Sequence, residues 1–366
     1  LLNYDGGAFL IEKNTLIENE CKIRGVSYLV ISDAKAQLIL QEISSPSKNQ
    51  EAVTLEKAPK IAVYSPKDKM PWDDAVTMVL TYAEIPFDLI YDEEVLNDKL
   101  VLYEWLHLHH EDFTGQYGRF YGAFRTAPWY VDGKLRAEKS AKNLGFTKVS
   151  EVKLAVSKKI RDFVIGGGFM FAMCSATDSF DIALAAEGVD IAESMFDGDP
   201  SESNYQSKIN FNRTLAFKDF NLIRNPTTYE FSSIDMTSKR KIPKTSDYFS
   251  LIEFSAKWDP VPTMLTQNHT QLVKGFMGQT TSFDRVTIKS NVLVMGENRT
   301  NREARYIHGT KGKGFFTFYG GHDPEDYTHR VGDPKTELDL HPTSAGYRLI
   351  LNNVLFPAAK KKKQKT

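Results

Sequence analysis

The sequence predicts an α/β fold with a doubly wound, mostly parallel sheet. Three observations carry this. Short apolar runs, such as Ile61–Tyr64 and Phe169–Met173, alternate with longer amphipathic stretches. In the stretch from Asp73 to Ile85, Val76, Val79, Leu80 and Ala83 share one helical face. The 366 residues are 41% hydrophobic and 25% charged, a globular balance that excludes a largely disordered chain.

Taken in order, residues 1–45 begin with a hairpin-like turn around Gly6-Gly7. A strand Ser27–Ser32 and a helix Asp33–Ile43 capped by Asp33 follow. Residues 44–58 are polar and contain a proline, the composition of a linker. A strand at Ile61–Tyr64 leads to the amphipathic helix, then to strands at Phe87–Tyr91 and Tyr103–Leu108. Residues 111–135 read as a long loop rich in glycine and aromatic residues. A basic helix over Glu151–Phe163 meets Gly166-Gly167-Gly168. Those glycines precede the strand Phe169–Met173, so they form a turn at the edge opposite Cys174 and not a phosphate loop. A helix Asp178–Glu187 follows.

Residues 197–263 are polar and strand-prone, with breaks at Asn225-Pro226 and Ile242-Pro243, and are expected to form a β-rich insertion. A helical stretch from Met264 to Gly278 returns to the core. Val292–Met295 and Gly314–Phe318 are strands, and Ser344–Leu355 is the closing helix. The expected organisation is an N-terminal α/β segment over 1–58, a core over 59–199 and 264–357, the insertion at 197–263, and a tail over 358–366.

Charge and cysteine usage narrow the function classes. The formal net charge is −1, but five lysines crowd the last seven residues. Without them 41 basic residues face 47 acidic ones, and no basic stripe supports nucleic-acid binding. The lysine tail is expected to be a solvated terminus. No apolar run reaches the ~18 residues of a membrane span. Two cysteines, Cys21 and Cys174, allow one disulfide at most. The chain starts with Leu-Leu-Asn, and further residues are expected upstream. That leaves the compartment open between cytoplasm and export.

Three segments carry chemistry. In Phe169-Met-Phe-Ala-Met-Cys174-Ser-Ala, a buried strand runs through Cys174 straight into a helix, with Ala172 and Ala176 two residues away on either side. Small residues at those places suit a tight elbow that lifts one nucleophile above the sheet. A helix N-terminus favours thiolate. The same pattern fits a buried core cysteine, and both readings stand at this stage. In Lys313-Gly-Phe-Phe-Thr-Phe-Tyr-Gly-Gly-His322-Asp-Pro-Glu325, a strand ends in a glycine turn that frees His322. Asp323 or Glu325 is placed to orient its ring. The third segment is Trp105-Leu-His-Leu-His109-His110-Glu111-Asp112. It gathers polar side chains at the edge where α/β proteins hold ligands. His109, His110 and Glu111 are expected to line the pocket. A metal on these three is the weaker alternative, since spacing this tight brings few ligands together. Ser175 and Gln279 are expected to complete the pocket. No cofactor is expected. The partner is expected to be a small molecule or, through the aromatic residues of the 111–135 loop, a glycan.

In this order the pieces resemble the class I glutamine amidotransferase-like superfamily and, within it, the ThuA-like branch. The residues that carry the resemblance are the strand Ile61–Tyr64, the elbow Ala172-Met-Cys174-Ser-Ala176, the Gly-His-Asp segment 321–323 and the closing Asn352-Asn-Val-Leu-Phe-Pro357. The runs FMFAMCSATDSFDIALAAEG and FFTFYGGHDPEDYTHR are similar to a bacterial group known as asparagine synthetase B. The resemblance implies a flavodoxin-like sheet and a cysteine-dependent hydrolase or amidotransferase acting on an amide or related acyl bond. Cys174 would be its nucleophile and His322 its base. Two features depart from the pattern: the acid stands three residues after His322, and Ala172 stands where glycine is usual. The Ser-Gly-Gly-x-Asp-Ser loop of ATP-dependent asparagine synthesis is missing from these residues, so that activity is not expected. A non-catalytic ligand-binding or scaffold protein on the same fold is the competing expectation.

Overall fold

Ten strands form one sheet in the computed structural model, which describes residues 7–66, 74–363 and 365. They are β1 (Ile61–Tyr64), β2 (Asp88–Ile90), β3 (Trp105–Leu108), β4 (Phe169–Met173), β5 (Tyr248–Leu251), β6 (Leu272–Lys274), β7 (Phe283–Asp284), β8 (Leu293–Asn298), β9 (Glu303–Lys311) and β10 (Gly314–Tyr319). The order is β2-β1-β3-β4-β10-β9-β8-β5-β6, with β7 beside β9. From β2 to β10 every pairing is parallel. Beyond β10 every pairing is antiparallel. The expected parallel sheet is therefore one half of a mixed sheet.

Side-chain alternation splits the core into two layers. On one face Leu106, Met170, Ala172, Phe316 and Phe318 pack against Val152, Val156, Ile160 and Val164 of the helix Val149–Gly166 and against Phe180 of the helix Ala176–Ala185. On the other face Trp105, Phe169 and Phe171 pack against Val76, Val79 and Leu80 of the helix Ala75–Tyr82 and against Leu349 and Ile350 of the helix Ala345–Asn352. Each large side chain fully buried in this way contributes roughly 1.5–3 kcal/mol. The chain leaves β1 towards β2 and returns on the other side of β1 to form β3. The carboxyl ends of β1 and β3 therefore lie at the point where the winding reverses, the place where α/β sheets bind ligands.

Several elements differ from expectation. The hairpin-like start around Gly6-Gly7 falls partly outside the described residues. Ser27–Ser32 is not a strand, while Thr15–Ile23 is a helix. The cap of the helix Asp33–Ser44 is Ser32, whose hydroxyl accepts the Lys35 N–H, and not Asp33. Neither N-terminal helix has a buried residue. The expected loop 111–135 contains the first turns of a 16-residue helix, Pro128–Asn143, started by a proline at its first position. The segment 197–263 is not β-rich: it holds one strand, β5, and isolated bridges at Phe217, Leu222–Ser232 and Asp235. The expected helix 264–278 is instead the short helix Val261–Leu265 followed by β6. In the lysine tail Lys360, Lys361 and Lys363 are exposed, whereas Lys365 is half-buried, its Nζ donating to the carbonyls of Ile43, Lys48 and Gln50 at 2.7–3.0 Å. Both cysteines are free thiols.

Candidate functional site

Four carboxyl ends of parallel strands bring the candidate residues to one edge of the sheet. Asp74 follows β1, His109 and His110 follow β3, Cys174 follows β4, and His322 follows β10. The turn after β10 depends on glycine. Gly321 has φ +105, and a Cβ there would lie 2.4 Å from the Phe276 ring. A Cβ on Gly278 would lie 2.8 Å from the His322 backbone nitrogen. The His322 N–H donates to the Met277 carbonyl at 2.9 Å, which fixes the base of the ring.

His109 Nε2 and His322 Nδ1 are 3.2 Å apart. Behind them stands Asp74, which the sequence pattern places inside a helix. Its Oδ1 accepts the N–H groups of Val76 and Thr77, so it is the N-cap of the helix Ala75–Tyr82. The same oxygen lies 3.0 Å from His109 Nδ1, off the line of the ring N–H, so this contact is an ion-pair approach and not a linear hydrogen bond. Asp74 Oδ2 lies 3.2 Å from His107 Nε2. Burial pushes the Asp74 carboxyl up, but His109 and His107 outweigh it and hold the group well below the usual carboxylate range. Burial, reinforced by neighbouring imidazoles, pushes His322 and His110 well below the usual histidine value, so both rings are neutral at pH 7. His329 stacks on His322 with centroids 4.8 Å apart and 19° between planes, and its Nδ1 lies 2.8 Å from Asp326 Oδ2.

Cys174 is buried in the turn between β4 and the helix Ala176–Ala185. Its φ is +53, a left-handed conformation that costs a non-glycine residue about 1–2 kcal/mol. The Ala176 N–H donates to the His109 carbonyl at 2.9 Å and ties the elbow to the end of β3. The sulfur accepts the Gln279 N–H at 3.3 Å. Burial pushes the thiol up to about 11, with the backbone N–H groups of Gln279, Thr280 and Ser175 acting against it. Asp178 stands close by, its carboxyl pushed by burial up to about 7.

The remaining expected residues separate. Asp323 does not orient His322. Its oxygens accept the N–H groups of Glu325 and Asp326 and the Thr336 hydroxyl. Glu325 lies against His341 at 3.4 Å and Lys274 at 3.8 Å. Glu111 turns away from the histidines to Tyr91 and Lys153. The Gln279 side chain donates to the carbonyls of Gly118 and Tyr229, so only its backbone faces the sulfur. Ser175 Oγ is buried without a hydrogen-bond partner. The aromatic residues of the 111–135 loop contact one another edge-on or tilted: Phe120 lies 5.5 Å from both Trp129 and Tyr229, and Phe124 lies 5.1 Å from Trp129. Asp74, His107 and His329 were missed. The readable signal for Asp74 was an acidic residue directly before an apolar-periodic run, which marks a cap.

No protein-family model and no curated protein matches the chain. Solved structures do. One is a cytoplasmic protein of Salmonella typhimurium, 10% identical, covering 82% of this chain and 100% of its own, with TM-score 0.40. Another, from Thermoplasma acidophilum, carries the description of a putative GMP synthase component. It is 8% identical, covering 83% of this chain and 96% of its own, with TM-score 0.38. A third is a beta-galactosidase of Bacillus circulans, 10% identical, covering 82% of this chain and 31% of its own, with TM-score 0.31. Likeness at this level assigns no activity to the chain. No helix among the described residues is long and apolar enough to cross a membrane.

Proposed function

We propose that the chain is a hydrolase for an amide or related acyl bond, with the histidines after β3 and β10 as its reacting centre. The bond class comes from the resemblance to the amidotransferase-like superfamily. One observation carries the placement: Asp74, at the cap of the helix Ala75–Tyr82, lies 3.0 Å from His109 Nδ1, and His109 Nε2 at the end of β3 lies 3.2 Å from His322 Nδ1 after β10. A carboxylate beside His109 Nδ1 keeps the proton on that nitrogen and leaves the Nε2 lone pair facing His322. Such a centre activates water. His322 takes the proton from the water as its oxygen attacks the carbonyl and returns it to the departing amine or alcohol.

A second reading is favoured by the left-handed backbone at Cys174 and by the N–H on its sulfur: the thiol attacks and an acyl-enzyme forms. Hydrolysis of an amide and aryl-ester panel by His322→Ala and Cys174→Ala separates the two. The histidine-centred reading predicts a loss of at least about 100-fold in His322→Ala and under tenfold in Cys174→Ala. The reverse pattern, with an acyl adduct on Cys174 in the intact mass, establishes the thiol.

A further inference from the structure

We propose that His109, His110 and His322 form a three-histidine site for a divalent transition-metal ion of the zinc type. The inference rests on the histidine cluster being the reacting centre, and it names what fills that centre.

Spacing supports it first. Each of the three histidines offers one ring nitrogen, and these nitrogens lie within 4.8 Å of one another. Two nitrogens bound at roughly 2.0–2.1 Å to one tetrahedral ion stand about 3.3 Å apart. His109 Nε2 and His322 Nδ1 are 3.2 Å apart.

Ring geometry supports it next. A linear N–H···N bond of that length would put the ring centroids about 5.5 Å apart. The observed centroid distance is 4.6 Å, with 49° between the planes. The two rings are therefore inclined to each other and not set head-on, and His110 stands beside both, its centroid 4.8 Å from His109 and 5.6 Å from His322.

The residues around the cluster complete the case. A metal-bound imidazole needs its far nitrogen held by an acceptor that fixes the tautomer. Asp74 Oδ1 stands 3.0 Å from His109 Nδ1, the nitrogen facing away from His322. Asp74 itself is engaged by two backbone N–H groups and by His107, so it orients His109 and does not join the ligand set. Backbone anchors hold the remaining parts. The His109 carbonyl accepts the Ala176 N–H of the elbow, and the His322 N–H is tied to Met277.

The donor set selects the ion. Three imidazoles suit Zn²⁺, Co²⁺ or Ni²⁺ and not Mg²⁺ or Ca²⁺, which take oxygen ligands. Three protein ligands leave a fourth position for water or substrate, the arrangement of a catalytic site.

The test uses the full chain stripped with a chelator and titrated with Co²⁺, whose d–d absorption reports tetrahedral binding without any substrate. The expected result is one Co²⁺ per chain, displaced by Zn²⁺ and not by Mg²⁺. Affinity should fall at least about 100-fold in His110→Ala and in His109→Ala/His322→Ala, and about 10–100-fold in Asp74→Asn. His341→Ala, outside the cluster, should bind as the parent does. Circular dichroism confirms that each variant is folded, and His110→Ala alters only the half-buried ligand. Absence of stoichiometric binding to the parent, or equal affinity in folded His110→Ala, overturns the site. Stoichiometric Co²⁺ without hydrolysis of the panel supports the site while overturning the proposed activity. Hydrolysis that survives complete chelation supports the activity and overturns the site.

Discussion

Asp74 serves two masters: its Oδ1 caps the helix Ala75–Tyr82 and also stands 3.0 Å from His109 Nδ1. A helix cap and the orientation of a site histidine are thereby joined in one side chain.

That joining makes Asp74→Asn informative. Asparagine caps helices about as well as aspartate, so stability should fall by less than about 1 kcal/mol. The amide carries no charge to hold the His109 proton, so hydrolysis should fall by about 10–100-fold. Denaturant midpoints and panel rates on the same preparation check both halves.

Lys153 is the hub of a second buried network. Its ammonium donates to Tyr64 and Tyr91 hydroxyls at 2.8 and 2.9 Å and to Asp92 Oδ1 at 3.1 Å, with Glu111 at 3.6 Å. Lys153→Met leaves Asp92 and Glu111 buried without their cation. Urea denaturation should show a loss of about 3–5 kcal/mol.

The Cys174 thiol, pushed up to about 11 by burial, should resist alkylation. At pH 8 iodoacetamide should label the half-buried Cys21 and leave Cys174 unlabelled until the chain is unfolded. Peptide mapping reads the outcome. Cys174→Gly should keep the elbow, while Cys174→Val should cost about 1–2 kcal/mol or more through the left-handed φ.

Asp178 ties stability to pH. Its folded carboxyl is pushed by burial from the ordinary 3.8 up to about 7. The folded chain keeps a proton that the unfolded chain has lost. Its contribution is therefore complete below about pH 4, declines as pH rises towards 7, and is level above that. The decline amounts to at most about 4 kcal/mol. Stability curves at pH 5 and pH 8 should differ less in Asp178→Asn than in the parent.

The sequence made the parallel half of the sheet legible because β1, β3, β4 and β10 are apolar runs bounded by turn residues. It hid β9, the nine-residue strand Glu303–Lys311, because Glu303 and Arg305 are charged residues buried in mid-sheet. Glu303 is held there by Arg240, and Arg305 lies between the rings of Phe249 and Phe276. Those partners are distant in sequence, so local pattern cannot report them. The helix Pro128–Asn143 was hidden by Pro128, Gly133 and the aromatic residues before it, which read as loop.

At the site, His109, His110 and His322 were visible as polar residues at strand ends. Their convergence was not, because it depends on β3 and β10 flanking β4. The acid was sought beside His322 in Asp323 and Glu325, whereas the fold brings Asp74 to His109 from the cap of the helix Ala75–Tyr82. The tight strand-to-helix turn at Cys174 was legible from its small neighbours, whereas the burial of the thiol depends on Gln279 and other residues distant in sequence.

The central claim, that the histidines after β3 and β10 are a ligand set, meets its most direct test in anomalous diffraction at the zinc edge from zinc-loaded crystals. A single strong peak is expected within about 2.3 Å of His109 Nε2 and His322 Nδ1, with His110 completing the set. A map without a peak at that place, with the two nitrogens still sharing a proton, would contradict it.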